Sequence, residues 1–235
     1  MRPQERRPLE ADFRLVQIAY KELAQQLVRK GTRLIAVSKG QSPDKIRALY
    51  ADGHREFGEN YVSELEAKAE SLKDLKDLRW VFIGQLQSNK IQRIVGVASE
   101  IQTMTTLKHA RYIARYAKDF GKAPFPVYIE VNLELEGSKA GLSPDEAEAF
   151  ARQVIAEFPD LDVRGLMCVP PSAYSDEACP EGPPKAYCNL AAVARRCGAG
   201  GLSLGMSADL KIALASGSTC VRIGRALFGE RTPIA

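Results

Sequence analysis

Short apolar runs and amphipathic segments alternate along the 235-residue chain. "RLIAVSK", "REFGEN", "RWVFIGQ", "SEIQTM", "PVYIEVNLE", "VRGLMCV", "GLSLGM" and "TCVRIG" read as strands, too short for helices and rich in β-branched and aromatic residues. Between them lie segments with apolar residues at helical spacing, among them "YVSELEAKAESL", "LKHARYIARYAKDFG" and "PPKAYCNLAAVARRCG". Two more, "SPDKIRALYADG" and "SPDEAEAFARQVIAEF", open on a cap serine with proline at the first helical position. Such alternation requires parallel strands, because a helix must carry the chain back before the next strand can lie alongside. The eight strands predict an α/β fold, a closed (β/α)8 TIM barrel, with an open doubly wound sheet as the alternative.

A helix over residues 9–29, with Phe13, Val16, Ile18, Tyr20, Leu23 and Leu27 at helical spacing, precedes the first strand and ends at Gly31. The expected organisation is one domain over 1–235, with a helical segment at 1–32, the barrel at 33–229 and a tail at 230–235. Residues 170–185, "PPSAYSDEACPEGPPK", break the rhythm and read as a mobile surface loop.

In a barrel, the C-terminal strand ends share one face, and chemistry sits there. Lys39 ends the first strand, Asn60 follows the second, Gln85 and Asn89 the third, and Asn132 lies near the end of the fifth. Met206, Ser207 and Asp209 follow the seventh, and Gly224 and Arg225 the eighth. A lysine after an apolar strand is otherwise a solvated loop residue; at this face it is a candidate amine nucleophile. A serine and a glycine beside helix N-termini in the last two loops suit a phosphate. The plainer alternative is that Ser207 and Asp209 cap a helix and Gly224 turns the chain.

An amine beside a phosphate site points to a Schiff base with a phosphorylated carbonyl compound: a sugar-phosphate aldolase or a pyridoxal 5′-phosphate protein. Arg222 separates the two. It alternates with Val221 and Ile223, so it faces the bore if they face the helices. There it could donate to a pyridine nitrogen and, staying charged, leave that nitrogen unprotonated. An aldolase has no evident use for it.

Composition removes other classes. The net charge of +4 is spread without a basic block, which argues against nucleic acid as a partner. Five cysteines without a CxxC pair, and only two histidines, predict neither a disulfide framework nor a metal site. No apolar leader and no membrane-length run is present, so a cytoplasmic protein without a membrane partner is expected.

"AVSK", "FGENYVSE", "FIGQLQSNK", the "VN" with the later "EGSKAG", "GLM", "LSLGMSADL" and "GSTCVRIGRALFG" together resemble the pyridoxal-phosphate homeostasis proteins, single-domain relatives of the alanine racemase barrel. The resemblance implies that Lys39 carries pyridoxal 5′-phosphate as an internal aldimine. It also implies that Met206, Ser207 and Gly224 grip the phosphate, that Arg222 partners the ring nitrogen and that Asn60 neighbours the ring. The implied function is vitamin B6 homeostasis without robust turnover, with no catalytic residue assigned. Apoenzymes are the implied acceptors, and the expected state is a monomer or weak dimer. The alternative is an amino-acid racemase-like enzyme, which needs a second base that the sequence does not supply. Val81 and Gln85 stand where the family often has histidines, so the resemblance carries no imidazole there.

Overall fold

The computed structural model describes residues 6–229 apart from 134–139, 172 and 199, with side chains from residue 16 onward. The "EGSK" part of the fifth-strand motif and the 230–235 tail therefore lie outside the described residues. Eight parallel strands close in sequence order: β1 (Arg33–Val37), β2 (Glu56–Glu59), β3 (Arg79–Phe82), β4 (Glu100–Met104), β5 (Phe125–Val131), β6 (Leu161–Cys168), β7 (Gly201–Ser203) and β8 (Cys220–Ile223). Closure comes from β1, which pairs with β2 at Ala36↔Phe57 and with β8 from Arg33↔Cys220 to Ala36↔Ile223. With both partners in place the sheet has no edge to protect.

The helices among the described residues are α1 (Arg6–Arg29), α2 (Pro43–Ala51), α3 (Val62–Ser71), α4 (Ile91–Val97), α5 (Leu107–Asp119), α6 (Pro144–Glu157), α7 (Lys185–Arg196), α8 (Leu210–Ala215) and α9 (Arg225–Phe228). Both Ser-Pro-Asp starts behave as predicted. Ser42 accepts from the Lys45 N–H, and Ser143 forms a reciprocal capping box with Glu146. α1 starts at Arg6, three residues earlier than the spacing predicted.

Alternation along the strands makes two interiors. Leu34, Ala36, Phe57, Phe82, Ile129, Leu166, Val221 and Ile223 belong to the main core with the helices. Inside the bore, Ile35, Val81 and Cys220 form a small apolar cluster with Ile83. Glu100, Gln102, Ser203 and Arg222 are also buried. At the strands' N-terminal ends Arg33 pairs with Glu56 (2.7 Å) and Glu100 (2.9 Å). Arg79 reaches Glu56 at 3.3 Å and Arg164 reaches Glu100 at 3.7 Å, completing an ionic floor.

Two expectations are corrected. The loop read as mobile is pinned: the Asp176 N–H donates to Ala208 O (2.8 Å), and Tyr174 packs edge-on against Tyr187. Its carboxylate accepts from the N–H groups of Lys211 and Ile212, at 3.0 Å each. Loop composition carries no sign of a distant helix start that needs a cap. The helix placed near Ser207 begins only at Leu210, with residues 207–209 forming a turn. Its first donors are already taken by Asp176.

His54 gives the fold an acid-sensitive point. It is buried edge-on between Tyr20 and Phe57, and Nε2 lies 2.7 Å from Glu56 O, so the neutral ring donates there. Burial pushes its pKa down. The unfolded chain then binds a proton that the native state refuses, and stability falls as pH drops through the unfolded value. The thermal midpoint should therefore drop between about pH 7.5 and 5.5. His54→Gln, which keeps a donor, should drop less; an equal drop would remove His54 from the account.

Candidate functional site at the barrel mouth

The six residues singled out in the sequence lie on or just beyond four consecutive strands, β7, β8, β1 and β2. Lys39 follows β1, half-buried, with Nζ 5.7 Å from the Tyr61 ring centroid. The chain on either side of it is clamped. Ser38 donates through its N–H to Gly58 O (3.0 Å) and through Oγ to Glu59 Oε1 (2.6 Å). Lys68 Nζ donates to Ser38 O (2.6 Å), Glu59 Oε1 (2.7 Å) and Glu64 Oε1 (2.6 Å), and Glu64 Oε1 also accepts the Gly40 N–H (2.6 Å). Burial pushes the Glu59 carboxyl up, and Lys68 and Ser38 pull it back.

Sequence reading missed this triad. Its signal was present: Lys68 falls on the apolar stripe of α3, three residues after buried Leu65, and is itself 5% exposed. A charge on the buried stripe needs a partner.

Asn60 lines a cavity of about 260 Å³ with Gln85, Glu130, Asn132 and Val169; Lys39, Met206, Ser207, Arg222 and Gly224 do not line that cavity. Gly84 permits the local approach, since a Cβ there would lie 1.9 Å from Asn60 O. Glu130 also went unnoticed in the sequence. Burial raises its carboxyl pKa, and Arg222 draws it the other way.

Ser207 Oγ accepts from the Ala226 N–H at 3.2 Å, tying the loop after β7 to the start of α9. Among the described residues, the N–H groups of Ser207 and Ala208 have no acceptor. Asp209 does not cap α8 with its side chain. It is buried, accepting from the Met206 N–H (2.8 Å) and the Tyr187 hydroxyl (2.7 Å) to shape the turn. Gly224 is the cap residue of α9 and packs against β1, where a Cβ would come 3.3 Å from Val37 O.

Arg222 points into the bore as its alternation predicted, 4% exposed. It donates to Ser203 O, Ser203 Oγ and Cys168 O, each at 2.7 Å. Burial lowers its pKa, but a guanidinium starts so high that it stays charged. The Cys168 thiol beside it is pushed up to about 12 by burial.

Comparison with known proteins finds relatives of the chain. Residues 16–232 match the family described as alanine racemase, N-terminal domain. The pyridoxal phosphate homeostasis protein of Pseudomonas aeruginosa is 38% identical over 199 residues, covering 84% of each chain. That of Caenorhabditis elegans is 36% identical over 230 residues, covering 93% of this chain and 94% of its own. Among solved structures, PipY of Synechococcus elongatus with PLP bound superposes at a TM-score of 0.80, with 32% identity over 91% of this chain and 100% of its own.

Proposed function

The chain belongs to the pyridoxal phosphate homeostasis proteins, on the alanine racemase N-terminal barrel, and from that premise we propose that it holds pyridoxal 5′-phosphate as a Schiff base on Lys39 for cellular vitamin B6 supply. One observation carries the reading. The Lys39 backbone is fixed on both sides by an ionic triad whose Lys68 and Glu59 are buried, at the end of a strand bordered by β8 and β2. A rigid mount for an amine at a barrel mouth is what imine formation needs.

The other residues fit the cofactor's parts. The unclaimed N–H groups of Ser207 and Ala208, with the Ser207 hydroxyl, suit a phosphate dianion, with Met206 and Gly224 shaping the loops around it. Arg222 is the partner for a ring nitrogen and Asn60 the neighbour of the ring. When bound, the cofactor supplies an aldehyde for the amine and an electron-withdrawing ring; a charged Arg222 keeps the ring nitrogen unprotonated and that withdrawal weak. This suits holding rather than turnover.

No helix among the described residues is long and apolar enough to cross a membrane. The proposed setting is the cytoplasm, with apoenzymes that use the same cofactor as acceptors and a monomer or weak dimer as the working state. Transfer tests the function. Loaded protein mixed with an excess of such an apoenzyme should restore its activity faster than spontaneous release of the cofactor allows. Rapid deuterium exchange at the α-carbon of alanine would instead favour a racemase-like enzyme.

Ser207→Ala should weaken cofactor binding by about 1–2 kcal/mol, the scale of one charge-assisted hydrogen bond, or roughly 5- to 30-fold. An unchanged dissociation constant would place the phosphate elsewhere.

A further inference from the structure

We propose that Gln102 and Ser203 are positioning residues, the central links of a hydrogen-bonded column through the bore that fixes the Arg222 guanidinium at the mouth. The inference rests on the cofactor site proposed above.

The column can be followed atom by atom. Arg222 Nη1 donates to Ser203 Oγ at 2.7 Å. A serine hydroxyl has one proton, and this one goes to Gln102 Oε1 at 2.7 Å. Gln102 Nε2 donates to Glu100 Oε1, again at 2.7 Å, and Glu100 Oε2 pairs with Arg33 at 2.9 Å.

Each orientation is forced by the next. A carboxylate only accepts, so Gln102 must turn its amino group to Glu100 and its carbonyl to Ser203. The Ser203 proton must then point to that carbonyl, which leaves a lone pair for Arg222. All donors between Arg222 and Glu100 point the same way, so the bonds polarise one another and the Glu100 charge strengthens Ser203 as an acceptor.

Burial makes the arrangement stiff. Gln102 and Ser203 have no exposed surface, and Glu100 and Arg222 are 3% and 4% exposed. A broken link would strand a polar group away from water. Ser203 meets the same Arg222 nitrogen twice, through O and Oγ, while Cys168 O holds Nη2. The plane of the fork is thus set by β6 and β7 on one side and, through Ser203, by β4.

The alternative is that these residues merely satisfy one another. A signal from the ring nitrogen separates the two. The holoprotein is reconstituted with pyridoxal 5′-phosphate carrying ¹⁵N in the ring, and the ¹⁵N chemical shift is measured in the native protein, Arg222→Lys, Ser203→Ala and Gln102→Met. Near-UV circular dichroism reports packing. We expect Ser203→Ala and Gln102→Met to move the signal in the same direction as Arg222→Lys and to weaken cofactor binding about three- to tenfold. Should Gln102→Met fail to fold, Ser203→Ala, the loss of one oxygen, carries the test. A folded Ser203→Ala protein with the native shift, where Arg222→Lys moves it, overturns the column but leaves the cofactor site standing. A shift indifferent to Arg222→Lys overturns the placement of the ring, and the column with it.

Discussion

Lys39→Ala should remove the visible imine absorption of the cofactor-loaded protein completely while leaving the barrel folded. The Schiff base proposed for this chain needs a primary amine at the end of β1, and the substitution removes that amine while leaving the backbone clamp in place. Lys39 is half-buried, and the clamp around it acts through Ser38 O, Ser38 Oγ and the Gly40 N–H. None of these belongs to the Lys39 side chain, so the clamp should survive its removal, and the barrel should keep a cooperative thermal transition with the loss of the Tyr61 cation–π contact costing about 1 kcal/mol. Binding should weaken without vanishing, because the Ser207 loop and Arg222 remain. Neighbouring lysines should not substitute. Lys45 Nζ is engaged with Gln41 Oε1 (3.2 Å) and Phe228 O (3.1 Å), and Lys90 ends a short 3-10 helix. Borohydride reduction followed by peptide mass mapping is the decisive measurement. The pyridoxyl mass on any peptide other than that of Lys39 sinks the assignment.

Lys68→Met should destabilise the fold strongly. Lys68 is the only cation bonded to Glu59 among the described residues, and it also neutralises Glu64. Two buried oxygens there, Glu59 Oε2 and Glu64 Oε2, already lack a hydrogen-bond partner. Removing the ammonium leaves an uncompensated buried charge, which costs about 3–5 kcal/mol and lowers the thermal midpoint by roughly 6–20 °C. The pH dependence provides a signature. Burial already raises the Glu59 pKa, and without Lys68 no cation among the described residues restrains it. The native variant then binds a proton more readily than the unfolded chain, so it should regain stability as pH falls. That sign is opposite to the His54 effect. A midpoint within a degree or so of wild type would mean that water enters the triad in place of the lysine.

Much of this protein could be read from local chemistry. Strand runs bounded by turn residues, and Ser-Pro starts with an acidic residue behind them, carry enough information to place the barrel. Lys39 and Arg222 were legible because each follows from position on a strand: one at its end, the other in its inward register. The rest depends on closure. Ser203 meets Gln102 across 101 residues and Arg222 meets Cys168 across 54, contacts that no window of sequence contains. The late start of α8 likewise depends on Asp176, 34 residues upstream of Leu210 and itself in a loop of uninformative composition. Glu59 and Glu64 lie inside a motif read for its resemblance, and their task became visible only when Lys68 folded back onto them.

The ionic floor of the barrel has a consequence for traffic. Arg33, Glu56 and Glu100 stopper the bore at the strands' N-terminal ends, and opening it would strand charges that now neutralise one another. The barrel is a blind alley with one doorway. A cofactor at the proposed site would arrive and depart through the same opening, which solvent and a proposed acceptor would share. Under the proposed function, loading and hand-over would be successive events at one threshold, not flow from one end of the barrel to the other.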